Sequence, residues 1–324
     1  SSNTAVGCGS LAANTTGANN VSVGTNALDS NTTGEGNVAI GMSSLDANVS
    51  GYGNTAMGKQ SLCKNTANDN TAVGGAALCL NTSGANNVAV GKTALNANTT
   101  ASNNTAVGAC ALLANTTGTA NVAVGAAALD ANTTANNNTA VGNLSATGNT
   151  TGTNNSALGF QSFVTNTTGS SNVAIGVNSL YANTTASNNT AVGLSALEAN
   201  TTAAFNTAVG ACSGKSITTG CHNTSLGAFS LFTSTTGDFN TAIGLDALFC
   251  NNGSSADNNT AVGHKAMCKN TTGTNNVAVG KNALQSNTTA SNNVAIGSSA
   301  LNANTTGEQN TAVGTNSLQA NTTG

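Results

Sequence analysis

The sequence predicts an all-β protein, a parallel β-solenoid whose nineteen rungs each span about one seventeen-residue repeat. Three observations predict it. A glycine recurs at a fixed step from Gly7, Gly24 and Gly41 to Gly314, with one step short by one (Gly58 to Gly74) and one long by two (Gly244 to Gly263). Before each glycine stands one short motif, as in Asn37-Val38-Ala39-Ile40-Gly41, whose asparagine never varies and whose last residue before the glycine is always apolar. Four residues after the glycine, leucine fills fifteen of the nineteen copies. A fixed short period over a whole chain is the mark of stacked units that bury their apolar faces only against one another.

Each part of the unit has a local reason. Val38 and Ile40 alternate about Ala39, which predicts a strand with the two β-branched side chains on one face and alanine on the other. Leu45 lies an odd five residues after Ile40, so a corner at Gly41 is needed to bring it to the same side. Two short strands then enclose Val38, Ile40 and Leu45. The Asn-Thr-Thr-Gly run that follows has turn chemistry and closes the coil. One rung buries about three apolar side chains, too few to fold alone, and stacking makes them a column. A helical reading fails because each unit is rich in Gly, Asn and Thr, all weak helix formers.

Composition narrows the function. Thirty-eight glycines and no proline suit a ladder in which every amide donates. Seven basic and ten acidic residues leave a net charge of -3 without a basic stripe, which argues against nucleic-acid binding. No apolar run is long enough to cross a bilayer, and any export signal is expected to have been removed or to lie outside this stretch of sequence. Disorder is disfavoured by the strict placement of Val and Leu in every unit. Residues 1–324 read as a single continuous array with irregular rungs at about 203–258 and no capping repeats. At the strand spacing, nineteen rungs make a rod on the order of 90 Å. Joined tail to head, Gly324 to Ser1, the repeat stays in register, so the expectation is a longer chain or units stacked end to end.

The strand motif, as at residues 37–41, 172–176 and 293–297, resembles the head repeats of trimeric autotransporter adhesins and related repeats of tail-fibre and surface-fibre proteins. The resemblance implies a left-handed β-roll, a homotrimer and display on a cell or virion surface. The longer unit and the Asn-Thr-Thr turn depart from that pattern. The row of Ala and Ser on one strand face is open to two readings, packing against another chain or facing a second wall of the same coil.

Fifteen copies place an Asn-x-[Ser/Thr] glycosylation pattern seven residues after the glycine: Asn14, Asn31, Asn48, Asn81, Asn98, Asn115, Asn132, Asn149, Asn166, Asn183, Asn200, Asn270, Asn287, Asn304 and Asn321. Covalent glycans there would sheathe a rod with little charge. The competing reading is that asparagine and threonine suit the turn and stack as polar ladders. Cysteine placement favours an oxidising compartment. Cys63 and Cys79 share one slot in consecutive rungs, Cys250 and Cys268 flank the inserted residues, and Cys212 and Cys221 fall within one rung, so three disulfides are expected. Cys8 and Cys110 are six rungs apart, too far to join, and read as buried free thiols or intermolecular partners.

In the irregular stretch, Ile217 and Ser234 replace the turn asparagine and Gly214 replaces the leucine. Phe205, Phe229, Phe232, Phe239 and Phe249 collect there with His222, which reads either as a contact patch or as repeat drift with phenylalanines filling gaps. Two histidines and scattered carboxylates offer no catalytic or metal-binding constellation, so no enzyme, no cofactor and no metal are expected. Three roles follow from the sequence. The first is a structural subunit of an extracellular fibre, with self-association as its main interaction. The second is an adhesin or receptor-binding rod. The third, an ice-binding solenoid, would use a threonine ladder, with Asn14 and Thr16 sharing a face while Thr15 points away.

Overall fold

A computed structural model describes residues 2–253 and 256–323. Ser1 and Gly324, which the tail-to-head join would use, and Ser254 and Ser255 of the irregular stretch lie outside the described residues. The described chain is all-β, without helix, and winds as a parallel solenoid. It divides into two compact units, Ser1–Leu158 and Gly159–Gly324. The first carries ten three-residue strands, from β1 (Thr4–Val6) to β10 (Ser156–Leu158). The second carries nine, from β11 (Val173–Ile175) to β19 (Thr311–Val313). Within each unit every strand pairs in parallel with the next along the chain, one repeat on. Thus Thr105, Ala106 and Val107 face Val122, Ala123 and Val124. Val173, Ala174 and Ile175 likewise face Thr190, Ala191 and Val192.

The rest of each rung is a series of tight corners. Around Gly108 (φ 136°), residues Cys110, Leu112 and Ala120 hold φ of 59°, 51° and 56°. The same slots are left-handed in the other rungs, and asparagine, which tolerates this conformation, often fills the third of them (Asn86, Asn103, Asn137). A left-handed non-glycine residue costs about 1–2 kcal/mol. For the leucine slot the cost is offset by burial, which stabilises by about 1.5–3 kcal/mol per leucine. Gly214 stands in that slot at φ 58°, free of the strain but with no side chain to bury.

The strand faces are the reverse of the expectation. Ala39 and Leu45 are fully buried, whereas Val38 is half-buried and Ile40 is 37% exposed. The same holds throughout: the middle residue of the strand points into the coil and its two neighbours point out, the terminal β1 apart. A coil this short is narrow, and two β-branched side chains per rung would overfill it, so alanine takes the inner position. The inward set in the rung of Gly108 is Asn104, Ala106, Ala111, Leu112, Asn115 and Gly118. The core is therefore alanine, leucine and two columns of asparagine, and the row of Ala and Ser faces a wall of its own coil.

The irregular rung keeps its core by exchange. Where Gly214 removes the leucine, Ile217 replaces the buried asparagine and is 1% exposed. Its Cδ1 lies 3.1 Å from where a Cβ on Gly214 would sit, so the isoleucine reaches into the volume the leucine would occupy.

Candidate functional site

Among the described residues no cleft gathers reactive groups; what the fold positions are rows of side chains, one slot per rung. They are described from the inside outward.

The inner rows are the asparagines. In the column seven residues after the glycine, Asn115 Nδ2 donates to Asn98 Oδ1 (3.0 Å) and to Gly118 O (3.0 Å), and Asn132 Nδ2 donates to Asn115 Oδ1 (2.9 Å). In the column four before the glycine, Asn121 N donates to Asn104 Oδ1 (3.0 Å) while Asn104 Nδ2 donates to Gly118 O (2.9 Å). Each amide thus satisfies carbonyl and amide groups that a narrow coil leaves without a strand partner. This overturns the glycosylation reading. Asn31, Asn48, Asn81, Asn98, Asn115, Asn132, Asn149, Asn166, Asn183, Asn200, Asn270, Asn287 and Asn304 are fully buried, and Asn14 and Asn321 half-buried. The nitrogen that would carry sugar is the ladder donor, as Asn14 Nδ2 to Gly17 O (3.1 Å) and Asn321 Nδ2 to Asn304 Oδ1 (3.3 Å) also show. The polar-ladder alternative is what the structure contains.

The column has faults where the repeat does. Asn200 Oδ1 is buried without a partner because Ile217 has no amide to offer it. Asn48 Oδ1 is likewise unpartnered, beside the shortened repeat between Gly58 and Gly74, where Asn65 Nδ2 turns to Ala67 O instead.

The threonine that follows the turn asparagine donates its hydroxyl to the next rung, as Thr116 Oγ1 to Thr133 O (3.1 Å) and Thr15 Oγ1 to Thr32 O (3.0 Å). Asn14 turns inward while Thr16 is exposed, so the two do not share a face as expected.

Within each unit the two outward strand positions form rows along the sheet. The residue just before the glycine is Val, Ile, Leu or Met in every rung, half-buried or exposed, with Ile40, Met57 and Leu158 at 37%, 41% and 47% exposure. The other outward strand position alternates between Thr, Val and Ser.

The phenylalanines do not make one patch. Phe205, His222 and Phe239, each five residues before a glycine, stack with ring centroids 5.1 and 4.9 Å apart. Phe232 and Phe249, five after a glycine, stack separately at 5.1 Å, with Phe229 edge-on to Phe232 at 5.6 Å. In the first stack only His222 has both faces taken by neighbouring rings; Phe205 and Phe239, at its ends, stay more than half exposed.

A shallow notch of about 340 Å³ opens where Gly75 interrupts a row of longer side chains, between Lys59 and Lys92 with Gln60, Ala76 and Thr93.

The cysteines are all free thiols, so the three expected disulfides are corrected. Cys63 and Cys79 do stack, with Lys64 N donating to Cys79 O (3.0 Å), and Cys250 N donates to Cys268 O (3.0 Å). Side chains stacked in register sit about one strand spacing, ~4.8 Å, apart, beyond the ~3.8 Å Cβ separation a disulfide prefers. Cys212 and Cys221 occupy different walls: Cys212 N donates to Leu194 O (2.8 Å), and the Cys221 thiol turns to Thr219 O (3.4 Å). Cys8 is exposed, and Cys110 Sγ is half-buried, 3.4 Å from Thr93 Oγ1.

Burial first, then Cys79 and Asp46, push the Cys63 thiol up to about 11, against the opposing pull of Lys64. Burial also raises Cys250 and Cys268. The folded state holds the Cys63 proton more tightly than the unfolded one. Its contribution to stability is therefore whole below the ordinary thiol value of 9.0 and is lost as pH rises through about 11. Urea melts of the wild type and of Cys63→Ser should converge or diverge only in that alkaline window, the wild type losing stability more steeply. Parallel slopes there would show that this thiol titrates normally.

The chain was compared with protein-family models and with curated proteins, and it matches none of them.

Proposed function

We propose that the protein is a non-enzymatic structural subunit of a surface or extracellular fibre, and that its copies associate laterally through the outer strand face. One observation carries this reading. The outward slot just after the glycine drifts freely, holding Cys8, Thr25, Met42, Lys59, Gly75 and Lys92 in its first six copies, whereas the outward turn row keeps its threonines for hydroxyl bonds to the next rung. The row just before the glycine faces outward too, yet admits no polar residue in nineteen rungs. Strand propensity alone would admit threonine there, as it does two residues earlier. A partner that excludes water from this row accounts for the difference.

The area is sufficient. Twenty outward strand side chains in the first unit, about a third exposed, offer on the order of 900 Å², against ~800 Å² per partner in a standard stable interface. Flat sheet faces pack about 10 Å apart with interdigitated side chains. A second copy supplies the same flat face, and the likeness of the strand motif to fibre head repeats supports a homo-oligomer. The adhesin reading would need a distinct binding surface, and the short stack of Phe205, His222 and Phe239 spans only three of the nineteen rungs.

The test is a pair of lysines in the row. Val107→Lys with Val141→Lys, two rungs apart, should leave the far-ultraviolet spectrum and melting of the protein nearly unchanged, because both side chains already point outward. Sedimentation should shift from an oligomer to a monomer at micromolar concentration. A wild type that is monomeric throughout, or a double variant that assembles equally well, removes this reading.

A further inference from the structure

The stacked thiols carry the inference. Cys63 and Cys79 occupy the same slot in consecutive rungs and are half-buried, and the Lys64 N to Cys79 O bond (3.0 Å) holds the two backbones in register. Both thiols are free, and their backbones stand one rung spacing, ~4.8 Å, apart. That spacing suits a bridge through one ion. Two metal–thiolate bonds of about 2.3 Å laid end to end span ~4.6 Å, close to the ~4.8 Å between rungs. Among the described residues no three His, Cys, Asp or Glu side chains are grouped to hold a metal, so the stacked pair offers an ion two sulfurs and no third side-chain donor of these types. Two soft sulfurs in line match a soft monovalent ion that accepts two-coordinate geometry, and disfavour zinc, calcium and magnesium, which need more donors or harder ones.

We infer that Cys63 and Cys79 together bind one Cu(I)-class ion as a linear bridge between adjacent rungs. Both S–H bonds break, two S–metal bonds form, and two protons pass to solvent, with no change of oxidation state. The product carries one net negative charge. Lys64 beside it compensates that charge, while Asp46, in the same slot one rung before Cys63, opposes it. The rung backbone needs no movement, since the bridge runs parallel to the hydrogen bonds that already set the spacing. Cys250 and Cys268, one slot out of line with each other, fit the same bridge less well.

The experiment uses the full chain, reduced and free of oxygen, with Cys250→Ser and Cys268→Ser so that one stacked pair remains. Cu(I) is titrated against a chromophoric chelator. One equivalent should be withheld from the chelator, and X-ray absorption should show two sulfurs and no third ligand, at a distance shorter than the ~2.3 Å of four-coordinate zinc thiolates. Adding Cys63→Ser, or separately Cys79→Ser, should weaken uptake about a hundredfold or more, because one thiol alone loses the advantage of two linked donors. Serine is compatible with the fold, since this slot holds Ala12, Asp29 and Asn96 in other rungs. Circular dichroism checks that directly. Uptake unaffected by either change, a metal bound by three or more sulfurs, or no uptake in competition overturns the proposal.

Discussion

Gly108→Ala is expected to break the solenoid locally, at a cost of about 2–6 kcal/mol, the sum of a strained left-handed backbone and an overfilled contact. Gly108 holds φ at 136°. A Cβ there would sit 2.6 Å from the carbonyl carbon of Gly125 and closer still to its oxygen, with Ala126 N at 3.0 Å. These are backbone atoms of the next rung, which cannot swing aside as a side chain would. Relief requires the two rungs to part, and the bonds at stake are Gly125 N to Val107 O (2.7 Å) and Thr105 N to Asn121 O (2.8 Å). In a chain where each repeat touches only its neighbours, the damage should stay near those rungs. Hydrogen exchange should therefore rise steeply around residues 104–126 and little elsewhere. Gly75→Ala is the control. Its position has nothing within 4 Å and no left-handed φ, so the change should stay within about 0.5 kcal/mol. Equal effects from the two substitutions would mean that the corner glycine is not needed for close approach.

Asn115→Asp is expected to cost about 3–5 kcal/mol at neutral pH, as when a buried hydrogen-bonded group is replaced by an uncompensated charge. The new oxygen would face two acceptors, Asn98 Oδ1 and Gly118 O, where the amide nitrogen now donates to both at 3.0 Å. Desolvation holds such a carboxyl protonated well above its usual range. Stability is then present below the unfolded carboxylate value of about 3.9 and is lost as pH rises through the higher folded value. Urea melts at pH 3 and pH 7 should show the gap to wild type narrowing in acid. A variant as stable as wild type at pH 7 would show that the amide column contributes little.

Periodicity alone located the strands: Val38–Ile40 and Thr105–Val107 fall where the Asn-x-Ala-x-Gly motif puts them. It could not say which face looks inward. Alternation of Val and Ile with Ala is satisfied by either choice, and the deciding quantity, the width of the coil, depends on corners at Cys110, Leu112 and Ala120 whose left-handed φ has no glycine to announce it. The asparagine columns were legible in principle. Asn37 and its equivalents never become Asp, Ser or Gln, and an exposed turn residue would. Invariance of a polar residue that both donates and accepts is the signal of a buried amide; the turn column, broken by Ile217 and Ser234, carries that signal less clearly, and its turn composition masked it. The ring stacks needed slot positions: Phe205 and Phe239 share one and Phe232 and Phe249 another, so closeness in sequence misplaced them as a single patch.

The column through Asn98, Asn115 and Asn132 has a sense as well as a spacing. Every link runs from the nitrogen of the later residue to the oxygen of the earlier one, as Asn132 to Asn115 and Asn115 to Asn98. The amide dipoles therefore add instead of cancelling. Peeled from the low-numbered side, the column bares hydrogens; peeled from the other, it bares lone pairs. Two such columns brought together in opposite senses would set nitrogen against nitrogen or oxygen against oxygen. Any strand of protein that prolongs the column, whatever chain it belongs to, must enter it travelling the same way.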